Sequence, residues 1–170
     1  KTPLIACIQI LCYHFRFKGG KTGFVPGAEI PFRGAPHVLR CFPGGQKRGI
    51  AEVKDGVIYI AGDLAHFSRR TQDFLISEAR RVLTERTREK AALLGKTVKA
   101  VRLCDPKTRW GSCHPDGRIS YSWRLILAPD RVLDYVVAHE VSHLLHKGHQ
   151  RAFWACCADL TQEMKESKIW

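Results

Sequence analysis

The sequence predicts an α+β fold, with a β-rich N-terminal part followed by a part that is mainly helical. Up to about residue 62 the chain is rich in glycine and proline, and short apolar runs alternate there with turns. Beyond that point apolar residues recur at helical spacing, with two strand-like runs between the predicted helices. We therefore expect a β-rich region over residues 1–62 and a second domain over residues 63–170, one continuous domain being the alternative.

Short runs in the N-terminal part have the composition of strands. Asp55-Gly56 separates the last two runs, and both residues tolerate the positive φ of a tight hairpin turn. We expect these strands to pair as an antiparallel sheet. The runs are Ala6–Phe17, Glu29–Phe32, His37–Cys41, Ile50–Lys54 and Val57–Ala61.

A long helix is predicted next, from about Ser68 to Leu94, and Gly95 suits its C-terminal end. Apolar residues line one face of this helix. Arginines stud its other faces, and glutamates balance part of their charge, as on a solvated surface. The remaining predicted elements are strands at Thr97–Cys104 and Arg118–Ile126 and helices at about Pro129–His146 and Arg151–Lys165.

Composition narrows the class of protein. No run approaches the roughly 20 apolar residues that cross a bilayer, so we expect no membrane-spanning segment. The seven cysteines are odd in number and include no Cys-x-x-Cys pair, which argues against a disulfide framework and a cysteine zinc site. We expect them to be small buried side chains in a reducing cytoplasm. The net charge of +12 leaves open weak binding of nucleic acid or another polyanion.

The segment from His139 to His143 carries the most specific pattern in the chain. Its two histidines are four residues apart on a predicted helix, so they project from one face, one turn apart. Two neutral imidazoles in this arrangement suit a tetrahedral Zn²⁺. Glu140 projects about 100° further round the helix and can act on a water without becoming a ligand. The pattern predicts one zinc ion, with Glu140 as the general base.

A catalytic zinc takes three protein ligands and keeps one position open. His146 continues the same helix face, but on a straight helix it would lie roughly 10 Å along the axis from the first ligand. Gly148 lets the chain turn back, so His149 is the favoured third ligand. Glu163 or Asp159 in the last helix is the alternative, and His146 is expected to lie at the surface or to support the ligands.

Further motifs surround this site. They are Arg109–Cys113, Trp123–Pro129, Asp134–His143, His149 and Phe153-Trp154. Together they resemble the YgjP-like family of metal-dependent hydrolases, small peptidases of the zincin class. The resemblance is strong from about residue 99 to 160 and weaker around residues 24–31 and in the long helix.

The resemblance implies a zincin-like metallopeptidase core behind a β-rich N-terminal part. This core would contain the helix with the His-Glu-x-x-His motif, a long backing helix and a mixed or antiparallel sheet. The resemblance also implies a peptide or protein substrate. Finally, it implies zinc bound by His139, His143 and His149, with Glu140 as the catalytic base.

In zincins an edge strand above the metal receives the substrate in extended form. We expect the run Arg118–Ile126 to be that strand, since it directly precedes the active-site helix. Each aromatic residue near it has core packing as its alternative role, and Trp110 and Arg109 are expected to form a loop wall or a carboxylate anchor. The residues expected to line the cleft are Arg109, Trp110, Tyr121, Trp123 and Arg124.

Three functions are compatible with the sequence. The first is a zinc peptidase in which Glu140 takes a proton from the attacking water. The second is a nucleic-acid-associated protease of the SprT-like kind, suggested by the net charge and the arginine-rich helix, whose binding would fall steeply with salt. The third is a zincin-like domain whose metal is structural or lost.

Overall fold

A computed structural model describes residues 24–43, 51–106, 108–162, 164 and 167 of the chain. Four strands, a long helix, three further strands and two α-helices follow one another along these residues, which confirms the predicted α+β class. Short 3-10 helices at Leu64–His66 and Trp123–Leu127 precede the first two α-helices. The elements are β1 (Glu29–Phe32), β2 (Ala35–Cys41), β3 (Glu52–Lys54), β4 (Val57–Ile60), α1 (Phe67–Leu93), β5 (Ala100–Cys104), β6 (Gly111–Cys113), β7 (Arg118–Ser122), α2 (Asp130–Ser142) and α3 (Arg151–Leu160).

The first sheet has the strand order β1-β2-β4-β3. The predicted hairpin between β3 and β4 is confirmed, with φ values of 50° at Asp55 and 72° at Gly56. The prediction of a purely antiparallel sheet is wrong, because β2 and β4 run parallel, from Val38 opposite Val57. After β2 the chain first forms β3, on the side of β4 that faces away from β2, and then turns back into β4. Strand β4 therefore runs in the same direction as β2. The predicted run Ala6–Phe17 lies outside the described residues.

The long helix α1 forms the centre of the core. Its predicted extent, about Ser68–Leu94, agrees with the observed helix to within one residue at each end, and Gly95 follows with a φ of 64°. The buried positions recur at helical spacing, and the helix packs against α2, the 3-10 helix Trp123–Leu127 and strands β4 and β5. They are Phe67, Thr71, Leu75, Ala79, Val82, Leu83, Thr87 and Ala91.

The second sheet has the strand order β5-β7-β6, with β5 parallel and β6 antiparallel to β7. The expectation that Arg118–Ile126 forms an edge strand is therefore wrong, because β7 lies in the middle. The strand also ends at Ser122, whose hydroxyl accepts a hydrogen bond of 3.3 Å from the Arg124 N–H and starts a 3-10 helix. The edge next to the active-site helix is β6, for which no strand was predicted.

Direct contacts join the N-terminal sheet to the rest of the chain. The N–H of Arg33 donates to the Ile126 carbonyl at 2.8 Å, and the Arg33 side chain pairs with Asp130 at the start of α2. Gly34, with a φ of 82°, lies so near Pro129 that a Cβ would be 2.6 Å from its Cα. One hydrophobic cluster includes residues of both parts. The division near residue 62 stays a prediction.

Several arginines of α1 form ion pairs within the helix or with α2, as expected for a solvated face. These are Arg69 with Asp73, Arg81 with Glu78 and Glu85, and Arg86 with Asp130 and Asp134.

Among the described cysteines only Cys157 is buried, and Cys104 is exposed, so the expectation of uniformly buried cysteines is wrong. No helix in the described ranges combines the length and apolar character that crossing a membrane requires.

Candidate metal centre

The active-site helix α2 ends earlier than predicted. It was expected to continue to His146, but regular helix stops at Ser142 and His143 occupies the C-cap. A tighter turn follows, in which the N–H groups of Leu145 and His146 both donate to the Ser142 carbonyl, at 3.1 and 3.0 Å. The early end lets the chain fold back across the helix terminus, which brings His149 to the first two histidines.

The three predicted metal ligands converge. His139, His143 and His149 each offer a ring nitrogen, and these atoms lie within 4.8 Å of one another. The Nε2 atoms of His139 and His149 are 3.0 Å apart. Two nitrogens bound to one tetrahedral zinc are separated by about 3.3 Å, given bond lengths of about 2.0–2.1 Å. The donor set therefore fits one ion shared by three imidazoles.

A hydrogen bond sets the tautomer of His143. Its Nδ1 lies 2.9 Å from the carbonyl oxygen of His146. Because a carbonyl only accepts, Nδ1 carries the proton and Nε2 keeps its lone pair for a metal. His146 thus supports a ligand through its main chain. Burial, and then the nearby charge of His143, lowers the pKa of His149, which favours the neutral imidazole that a metal needs.

Helix α3 packs two aromatic rings against the three histidines. Phe153 is fully buried, and its ring centroid lies 4.9 Å from that of His139, 4.6 Å from His143 and 4.7 Å from His149. Trp154 stacks on His149 at 5.5 Å, with an angle of 27° between the rings. Both aromatic residues belong to the motifs that carry the family resemblance, but no role at the site was predicted for them. Their position four and five residues after His149 is the signal that indicates it.

Glu140 points from α2 toward strand β6. Its side chain is almost completely buried, with an exposed fraction of 7%. Burial raises the pKa of its carboxyl group to about 8, although an interaction with the backbone N–H of Cys113 and the charge of Arg109 both oppose the rise. A buried carboxylate beside a histidine cluster is a candidate for proton transfer.

Of the residues that were predicted to line the cleft, Arg109 is exposed, whereas Trp110 and Tyr121 are buried. Arg109 is exposed on the loop before β6, and its charge acts on Glu140. Trp110 is buried, with an exposed fraction of 6%. Tyr121 is completely buried and shares a hydrogen bond of 3.0 Å with the Thr87 hydroxyl, which argues against a contact with substrate.

Two neighbouring residues after β7 also serve packing and ion pairing. Trp123 is buried, and the Arg124 guanidinium lies 4.9 Å from the centroid of its ring. Arg124 also donates to both carboxylate oxygens of Asp105, at 2.6 and 2.8 Å. Of the alternative third ligands, Asp159 is exposed on α3 and is not part of the converging cluster, and Glu163 lies outside the described residues.

Three convergent imidazoles, with a buried carboxylate on the same helix, define a site of the kind found in metal-dependent hydrolases. The family model of the YgjP-like, metallopeptidase domain matches residues 14–170. The chain belongs to this family, and the match extends well beyond the region in which the sequence resemblance was strong. No curated protein and no solved structure matches the chain significantly. Membership implies a metal and a peptide or protein substrate.

Proposed function

We propose that the protein is a zinc-dependent peptidase with a zincin-like core. His139, His143 and His149 hold one zinc ion, and Glu140 is the general base. The observation that carries this proposal is the convergence of the three histidines at the end of the helix that also bears the buried Glu140. Three neutral imidazoles with one open position are the ligand set of many catalytic zinc sites.

The chemistry divides between the ion and the chain. When bound, a zinc ion supplies the Lewis acidity that polarises a carbonyl and makes water a better nucleophile. Glu140 accepts the proton of the attacking water and passes it to the amine that leaves. Burial raises the pKa of Glu140 in the metal-free chain, and the charge of a bound zinc ion would oppose this rise and favour the ionised carboxylate that accepts a proton.

The proposed substrate site lies along β6. The Trp110 carbonyl accepts from the Ser122 N–H, and the His114 N–H donates to the Arg118 carbonyl, both at 2.8 Å. Main-chain groups alternate along an antiparallel strand, so those of the intervening Gly111 point away from β7. We propose that an extended peptide pairs with this edge, in place of the predicted run Arg118–Ile126, and that Arg109 contacts an acidic group of the substrate.

Two variants test the proposal against zinc content and hydrolysis of a peptide library. Glu140→Gln should keep one zinc per chain and lose turnover, because the amide cannot accept the proton. His149→Gln should lose zinc. His146→Gln is the matched control, since His146 acts through its carbonyl, and it should keep both zinc and activity.

Two results would contradict the proposal. Hydrolysis retained by Glu140→Gln would remove the general-base mechanism. Wild-type protein purified without chelator that contains no zinc would favour the structural or lost-metal alternative. Three of the six arginines of α1, Arg69, Arg81 and Arg86, are ion-paired, which reduces the positive charge that this helix offers to a nucleic acid.

A further inference from the structure

Strand β6 passes unusually close to Glu140. A Cβ placed on Gly111 would lie 2.7 Å from both Cγ and Oε1 of Glu140 and 2.9 Å from its Cδ. Real Cβ atoms essentially never approach other heavy atoms to less than 3.0 Å. The carboxylate therefore occupies space that any other residue at position 111 would fill.

The need for glycine at this position is steric. Six glycines in the described residues have a positive φ, and Gly111 is not one of them. Its backbone conformation is one that other residues adopt without strain. The short distance to Glu140 is thus the reason that the structure offers for a glycine at position 111.

The same strand also provides a donor to the carboxylate. The backbone N–H of Cys113, two residues beyond Gly111, interacts with the Glu140 carboxylate and favours its ionised form, because this interaction lowers the Glu140 pKa. Alternation along β6 directs the main-chain groups of both residues away from β7. The neighbouring His114 N–H points the other way and donates to Arg118 at 2.8 Å.

We propose that β6 positions Glu140 by two means: the missing side chain of Gly111 leaves room for the carboxylate, and the Cys113 N–H fixes its orientation. Gly111 and Cys113 are accordingly positioning residues. The catalytic consequence rests on the proposed function, whereas the positioning itself does not depend on it.

Gly111→Ala should move the Glu140 side chain and leave the strand in place. Hydrogen bonds to β7 hold β6 along its inner edge, while rotation about the side-chain bonds of Glu140 relieves the overlap. A displacement of about 1 Å in a catalytic group lowers turnover by about 100-fold. We therefore expect kcat to fall by about 10- to 100-fold, while KM and the zinc content change little.

Hydrogen exchange of single amides tests the positioning directly, in the full chain with zinc bound and again after its removal. Gly111→Ala and Glu140→Ala should each speed exchange at the Cys113 amide by about fivefold or more, because its acceptor is displaced or lost. The His114 amide is the internal reference and should keep its rate. Ser112→Ala is the matched control, since its side chain lies on the opposite face of β6, and it should change the exchange rate of neither amide.

The outcomes separate this inference from the proposed function. An unchanged Cys113 amide in Gly111→Ala would overturn the positioning role, whatever the protein hydrolyses. Faster exchange at both Cys113 and His114 would also overturn it, because it would mean that the whole strand had loosened. If Glu140→Gln retains hydrolysis, the proposed mechanism fails while the exchange result still decides where Glu140 is held.

Discussion

Phe153 packs against all three candidate ligands, and Phe153→Ala should weaken both the fold and the metal site. The side chain is fully buried, with its ring centroid within 4.9 Å of each histidine ring. Removing a buried phenylalanine side chain costs about 3–5 kcal/mol of unfolding free energy. At about 2–4 °C per kcal/mol for a chain of this size, the melting temperature should fall by roughly 6–20 °C.

The effect on zinc should exceed what the loss of stability explains. Without Phe153 the three imidazoles lose the packing that fixes their orientation, so their convergence must be restored each time an ion binds. Loss of groups that orient ligands weakens metal affinity by about 10- to 100-fold. Competition with a chromophoric chelator measures the zinc affinity, and urea unfolding of the metal-free protein measures stability.

Phe67→Ala provides the control for this prediction. Phe67 is equally a core residue, with an exposed fraction of 2%, and it lies at the start of α1. It should lower stability by a similar amount and leave zinc affinity within about threefold of wild type, since the affinity depends on local ligand order. Phe153→Leu keeps most of the volume and serves if the alanine variant does not fold. Equal losses of zinc affinity at Phe153 and Phe67 would refute the reasoning.

Two further predictions concern residues near β7. Tyr121→Phe removes only the hydrogen bond to Thr87, so it should cost about 1 kcal/mol of stability and leave kcat/KM unchanged. A fall of about 100-fold in kcat/KM would mean that the hydroxyl reaches the substrate. Hydrogen bonds from Arg124 hold the pKa of Asp105 below its usual value. The pair therefore stabilises the fold at a pH above about 4, the pKa of an aspartate in the unfolded chain, and this stabilisation is lost as the pH falls through the lowered pKa of the folded state. Melting curves of Arg124→Met and wild type should differ at pH 7 and converge below about pH 4, and a constant difference would contradict this assignment.

The parts of the site that depend on local spacing were predictable from the sequence. His139, Glu140 and His143 lie on one helix, so their relative placement follows from helical geometry alone. The placement of His149 beside the other two histidines required a turn of the chain, and Gly148 made such a turn plausible. The early end of α2 at Ser142 was not predictable, because it depends on hydrogen bonds formed in the turn and on packing against α3.

The parts that depend on long-range pairing escaped prediction. Gly111–Cys113 is a strand of three residues, including a glycine and a serine, and has little strand propensity of its own. It forms because β7 pairs with it, and only that pairing reveals that Tyr121 faces the core. The apolar run after Ser122 was predicted to continue the strand, because a short buried 3-10 helix and a buried strand have similar composition.

The two components of the proposed active site therefore depend on different parts of the fold. The histidines come from one short segment at the end of α2, and the aromatic rings of α3 hold them together. Glu140 leaves the same helix on another side and lies against Gly111 of β6, which is distant in sequence and fixed by the second sheet. Because these supports do not overlap, changes in α3 should act mainly on metal affinity and changes in β6 mainly on turnover. A chain that binds zinc tightly yet hydrolyses poorly is thus the expected result of damage to β6, so metal content alone is no measure of an intact catalytic site.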